Sequence, residues 1–515
     1  MKNCLPYAQT IIFKSKYILL RKDSGIIMKK FIALLLLASL LTGCTSQNGD
    51  VKTDTTDDST SDVTIDTSDL SDAEKRKLVS DDLETIDYDG REFNILSRTD
   101  FTYEFDQEQT GDVLDDAIYQ RNRTVEERFG VTITVHDYGT GTVGNVLELA
   151  DKSIMAGDDE YQLLSAYSWL AATGSMNGLY YNWYDLDKIN FEKPWWEKEF
   201  IEEAGIDGVT YIAIGDLSLL FSEVRQAIFF NKQIAEDIHM EDPYALVKSG
   251  EWTVDKLIEL SVSGADDLNG DGQMNEDDRW GFACNRWTHT VPFVYGAGLK
   301  TVQYDQNGLP RKLNQSEKLF DIFDKVYKFI NESGDAYICN DGKFSLPNES
   351  DFQFGKALFM TSWIGYAKDL RNMDADFGIL PYPKWDKEQE NYYSFYLDRT
   401  DVFLIPITAD ADFAGTVTEA LAAESYKQVT PAFYEKTLYG KLIRDEESRD
   451  MLDIIFQNTV YDFAYIYSKY FEQESPYMIF RACIYEKNET FASQLASVSS
   501  VYETKFDGFL EAFEH

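Results

Sequence analysis

From residue 91 onward, apolar and polar positions alternate between a short and a long rhythm. Arg91 to Arg98 (REFNILSR) has the brief apolar run of a strand. Leu114, Ile118, Val125 and Phe129 recur at helical spacing, predicting an amphipathic helix over 112–129. Val131 to Tyr138 is β-branched and alternating, so a second strand is expected, followed by a helix over 143–155 and a third strand over 161–167. That order is the signature of a parallel α/β sheet with helices on both faces. Later strands are expected at 210–214, 227–230, 358–361, 377–380 and 402–405. Long helices are expected at 316–330 and over most of the chain after Thr416. No internal repeat is visible.

Before residue 91 the pattern is different. From Met28 the chain runs Lys29-Lys30, an apolar stretch Phe31 to Leu41, then Leu41-Thr42-Gly43-Cys44. A positive start, a short apolar run and small residues make an export signal, and the run is shorter than the ~20 apolar residues of a spanning helix. The last four residues resemble a bacterial lipobox, which implies acylation of Cys44 and removal of 28–43. Residues 1–27 then read as an upstream extension. Thr45 to Asp72 is rich in Thr, Ser and Asp and has almost no large apolar side chain. It cannot bury enough surface to offset its ordering entropy, so a disordered tether over 44–85 is expected.

Composition narrows the function. The 515 residues include 90 Asp and Glu against 48 Lys and Arg, a formal charge of −42. Such a surface repels nucleic acid and anionic lipid. Four His, at 136, 239, 289 and 515, have no metal or triad spacing. The five Cys include no CxxC pair, and the odd number left after Cys44 points to unpaired thiols.

Four phrases carry a family resemblance. Ala227-Ile228-Phe229-Phe230-Asn231-Lys232 resembles a crossover strand, and Glu251-Trp252-Thr253-Val254-Asp255-Lys256-Leu257 a helix start. Phe354-Gly355-Lys356-Ala357-Leu358-Phe359-Met360 resembles a helix-to-strand segment, and Phe377-Gly378-Ile379-Leu380-Pro381-Tyr382-Pro383-Lys384 a later strand. Their order is similar to that of the family 1, carbohydrate-type solute-binding lipoproteins of ABC importers. The resemblance implies a two-lobe α/β fold of the class II periplasmic-binding-protein type, with crossing hinge strands and a helical C-terminal part. Lobe one would be 86–228 plus 363–409, and lobe two 229–362 plus 410–515. It further implies a non-enzymatic monomer, lipid-anchored on the extracellular face of a bacterial membrane. Hinge closure on an oligosaccharide and delivery to ABC permease subunits would follow. Nucleic acid is not an expected partner.

Sugar rings are held by aromatic faces and by carboxylates or amides at strand ends. Trp169 follows the third strand, Asp216 the 210–214 segment, Trp363 and Tyr366 the 358–361 segment, and Trp287 follows Gly281 to Cys284. These five are the candidate ligand contacts, each weighed against ordinary packing. Trp195 and Trp196, after Pro194, look like packing residues, and Arg225 either faces the cleft or forms an ion pair. Asp267, Asn269, Asp271, Gln273 and Asp278 carry oxygens at positions 1, 3, 5, 7 and 12 of an EF-hand-like loop, with Gly272 at position 6. A structural Ca2+ is therefore expected there, weakened by Asp in place of Glu at position 12. Gly139-Thr140-Gly141-Thr142-Val143-Gly144 formally fits a dinucleotide turn, but no acid ends the next strand. A secreted calcium-containing glycoside hydrolase is the alternative function, since it also uses aromatics, carboxylates and calcium.

Overall fold

The computed structural model describes residues 70–138, 146–275, 277–285, 290–339, 352–434 and 445–513, with 438, 440 and 443. Among the described residues, eleven strands form three sheets. They are β1 (Arg91–Ser97), β2 (Val131–Asp137), β3 (Leu163–Tyr167), β4 (Gln226–Asn231), β5 (Trp280–Asn285), β6 (Val302–Gln303), β7 (Lys312–Leu313), β8 (Ala336–Cys339), β9 (Ala357–Trp363), β10 (Phe377–Leu380) and β11 (Asp401–Leu404). The helices used below are α1 (Asp72–Lys77), α2 (Val113–Phe129), α3 (Val146–Ala156), α4 (Ser168–Gly174), α5 (Leu219–Glu223), α6 (Val254–Gly264), α7 (Glu317–Glu332), α8 (Ala411–Glu424), α9 (Glu446–Gln457) and α10 (Phe491–Phe513).

The first sheet has the order β11-β3-β1-β2. β1 pairs in parallel with β2, Arg91 opposite Val131, and with β3, Ile95 opposite Leu163. β11 adds antiparallel, Tyr167 opposite Asp401. The helix between β1 and β2 is set by local chemistry. Asp112 caps α2 by accepting from the Leu114 N–H, and Gly130 ends it in the left-handed region at φ 59°. A Cβ at Gly130 would also lie 2.0 Å from Asp87 Oδ1, so the turn needs glycine twice over.

The second sheet has the order β10-β4-β9-β5-β8. β4 is buried at every position and runs antiparallel to β9, with Gln226 opposite Trp363. A strand covered on both faces reads as a near-continuous apolar run, as QAIFFN and ALFMTSW do. Each fully buried Phe, Ile or Leu contributes roughly 1.5–3 kcal/mol. The Trp252 phrase does start a helix: Thr253 caps α6 by accepting from the Lys256 N–H, and the Trp252 indole donates to Pro381 O at 2.9 Å. β6 and β7 form a short antiparallel ribbon. The C-terminal helices seal the body: α8 packs on α2, and α10 buries Leu495, Tyr502, Phe506, Phe509 and Phe513.

The structure departs from expectation in three places. Residues 210–214 form no strand, because only Ala213 bridges Phe403 before Gly215 turns the chain against Trp195. The 377–380 strand, placed with lobe one over 363–409, joins the second sheet through β4, whereas 401–404 joins the first. The chain therefore crosses back between β10 and β11, later than the division at 363. Residues 71–85 are docked rather than loose. Ser71 and Glu74 close a capping box on α1, Asp81 pairs with Arg128, and Lys193 bonds Asp82. Two cation partners on the body, Arg128 and Lys193, anchor what composition alone reads as tether. The signal segment and Cys44 lie outside the described residues. Among the described residues, no helix is long and apolar enough to cross a membrane.

Candidate functional site

The carboxyl ends of β1 and β3, the start of β11 and the segment after β9 share one polar cluster. Asp401, fully buried, pairs with Arg98 and accepts from Ser165 Oγ at 3.0 Å. Burial pushes its carboxyl up even beside that guanidinium. Arg98 in turn lies over Phe101 at 4.1 Å and Tyr167 at 5.2 Å. Glu104, fully buried, caps α5 by accepting from the Leu220 N–H. Its carboxyl is pushed up to about 8 by burial first, then by the charges of Asp401 and Glu223. Glu223, at the end of α5, pairs with Lys368 after β9. Groups from both sheets thus meet through one chain of charges.

Aromatic faces flank this cluster. α4 begins directly after Tyr167, so its first turn presents Trp169, 6.2 Å from the Tyr167 ring. Lys469 lies 4.7 Å over the Trp169 ring. Trp169 also lines a cavity of about 510 Å³ with Lys469, Met478 and Arg481. Asp398, close by, titrates near 6 because it is buried, despite Arg481 and Arg399. On the other sheet Trp363 ends β9 half-buried, and Tyr366 follows on the next turn, packed at the edge of the second core. Trp169, Trp363 and Tyr366 therefore stand at strand ends as expected, and partial burial leaves part of each ring accessible.

Asp216 sits elsewhere. It lines a cavity of about 420 Å³ together with Trp195, Trp196, Glu197 and Arg225. A Cβ at Gly215 would lie 2.1 Å from Trp195 O, so glycine alone permits the close pass that puts Asp216 there. Trp195 and Trp196 are packed, as their position suggested: both indoles donate to the buried Glu419 on α8, at 3.0 and 2.8 Å. Burial raises Glu419 to about 8. Arg225 resolves in favour of the ion pair, with Glu197 at 3.4 Å, and it also donates to Phe221 O at 2.9 Å.

No family model matches the chain, and no curated protein matches it. Solved structures do. The chain is similar to an ABC substrate-binding protein from Listeria monocytogenes in complex with cycloalternan, at 10% identity over 81% of this chain and 100% of that one, with a TM-score of 0.52. It is similar to UgpB from Mycobacterium tuberculosis in complex with glycerophosphocholine, at 12% identity over 82% and 99%, with a TM-score of 0.52. A family 1 extracellular solute-binding protein from Bifidobacterium longum subsp. infantis matches at 14% identity over 81% and 100%, with a TM-score of 0.50. The fold is that of the family 1 extracellular solute-binding proteins. In a solute-binding fold of this kind, the strand-end cluster occupies the place where open α/β sheets hold ligands.

Sequence reasoning missed most of that cluster. Arg98, Glu104, Glu223, Lys368 and Asp401 carry no motif, and 90 acidic residues hide any single one. A signal existed only for Asp401, a charge opening an otherwise apolar strand. Trp287 lies outside the described residues. In the 267–278 loop, Asp267 accepts from the Gly270 and Gly272 N–H groups, both at 2.7 Å. Buried Asp278 accepts from Leu268 and Asn275 at 3.0 and 2.9 Å, while Asn269 and Asp271 accept from Asp271 and Gln273 N–H groups. Among the described residues no group of three or more His, Cys, Asp or Glu is arranged around a metal position; Glu276 is not described.

Proposed function

We propose that this protein is an extracellular solute-binding protein that captures a carbohydrate between its two lobes and hands it to an ABC importer. The observation that carries the reading is the polar cluster at the strand ends, where Asp401 and Arg98 of the first sheet and the Glu223–Lys368 pair beyond β9 of the second both bear on Glu104, with Tyr167 against Arg98 and Trp169 beside Tyr167. Rings of this kind stack on sugar C–H faces. A ligand touching both lobes favours the closed state by its differential contacts. The neighbours' cargo, cycloalternan in one and glycerophosphocholine in another, supports a hydroxyl-rich solute. Lipid attachment at Cys44 and a place on the outer face of the membrane complete the proposal. Chemistry on the ligand is not part of it: Glu104, the carboxyl with the most raised titration here, is fully buried and caps a helix.

Titration calorimetry against a panel of oligosaccharides should give saturable binding to at least one. Trp169→Ala should weaken that binding about 10- to 100-fold, the range of an aromatic contact at a binding site, with little change in melting temperature because the ring is only partly buried. No saturable heat for any glycan would overturn the reading; turnover of a chromogenic glycoside would instead favour the hydrolase.

Calcium on the 267–278 loop is a separate proposal, supported by the ligand spacing and by the two N–H bonds that fix each of Asp267 and Asp278. An ion held only by the native state at about 100 times its dissociation constant adds ~2.7 kcal/mol. Millimolar Ca2+ should then raise the melting temperature of EGTA-treated protein by a few degrees, and Asp267→Ala should abolish the rise. An unchanged melting curve for the native chain would reject the site.

A further inference from the structure

The 420 Å³ cavity shares no lining residue with the strand-end cluster. Its size suits a small molecule, and it is walled by aromatic rings and carboxylates together. Two of its own cations already lie on those rings. Arg76, from α1, sits 4.4 Å over Tyr426, and Arg225 sits 4.3 Å from the Phe221 ring and 5.4 Å from that of Phe456. The walls are therefore cation-accepting surfaces.

The charges inside are incompletely matched. Arg225 is engaged by Glu197 at 3.4 Å and by Thr459 Oγ1 at 3.1 Å. Asp216 is left facing Arg76, with a hydrogen bond from Thr430, while Glu197 opposes it and Arg225 adds a weaker attraction. Its carboxyl is held up near 7 by burial, so the compensation from Arg76 is partial. Asp72, paired with Lys75 at 3.1 Å, and Asp453 also stand in the lining. Arg76 is also the most easily displaced of these groups: it rides on a six-residue helix at the start of the docked segment and is only half-buried.

We infer that this cavity is a second binding site, for a small organic cation of the guanidinium or amine class, in which Arg76 is the resident stand-in. A free cation would take the Tyr426 face and the Asp216 carboxylate, and α1 would be released from the cavity. The inference goes beyond carbohydrate capture and holds whether or not a sugar binds.

Calorimetric titration with agmatine, on the full chain, tests it. Arg76→Ala removes the competitor and should bind agmatine at least tenfold more tightly than the parent. Arg76→Gln, which keeps the helix former and loses the charge, should behave likewise. Adding Asp216→Asn to Arg76→Ala should remove the gain. Absence of saturable agmatine binding by both Arg76 variants, with melting temperatures equal to the parent, would overturn the inference. So would tight binding that survives Asp216→Asn.

Discussion

Asp401→Ala should lower the unfolding free energy by about 3–5 kcal/mol, the cost of stripping one partner from a buried ion pair. Asp401 is fully buried, and the Arg98 side chain it holds is 11% exposed. Truncation leaves the guanidinium in a poorly solvated place and also removes the acceptor for Ser165 Oγ. The loss falls at the Tyr167 to Asp401 register, where β11 joins the first sheet. It should therefore loosen the strand end that presents Trp169. Denaturant unfolding followed by tryptophan fluorescence would show the midpoint shift. Asp401→Leu combined with Arg98→Met should recover much of it, because neither charge is then stranded. A single-variant loss below about 1 kcal/mol, typical of an exposed pair, would show that the cluster does not hold the sheet edge.

The second large effect is on pH. Glu104 and Glu419 are raised to about 8, Asp216 to about 7, and Asp398 and Asp462 to about 6, in each case first by burial. In the unfolded chain these groups titrate near 4. Between about pH 4.5 and 8 the native state therefore binds more protons than the unfolded state, and stability falls as pH rises. Each unit of raised titration is worth about 1.4 kcal/mol, so the set should amount to several kcal/mol across that window. Self-repulsion at a formal −42 acts in the same direction. Asp410, lowered by its hydrogen bond from Arg91, acts the other way, but only below about pH 4. The melting temperature should be highest near pH 5 and decline steadily to pH 8. Glu419→Gln should flatten the upper part of that decline, at the expense of one indole acceptor. A profile that is flat or rises toward pH 8 would contradict the burial of these carboxyls.

Local pattern settled more than the site did. Helical spacing placed α2 within a residue of its observed start, because Asp112 and Gly130 mark its two ends in the sequence itself. The apolar runs at 227–230, 358–361 and 377–380 lie within or coincide with strands of the second sheet, since strands buried on both faces tolerate little else. Pattern does not say which sheet a strand joins. Residues 377–380 and 401–404 are alike in sequence, yet β10 pairs with β4 and β11 with β3. That choice is made by partners more than 140 residues away in each case. The ordering of 71–85 was hidden for the same reason, since its acids find Arg128 and Lys193 only after α2 and the 190s have folded.

The sequence by itself determined the alternation of strands and helices, the acidic surface and the positions of Trp169, Trp363 and Tyr366 at strand ends, because these depend on neighbours a few residues apart. Only the tertiary structure decided that Arg98, Glu104, Glu223, Lys368 and Asp401 form one cluster and that Asp216 faces Arg76 in another cavity. A charge reveals its role through burial and through the opposite charge beside it, and both come from segments that the chain keeps far apart until it folds.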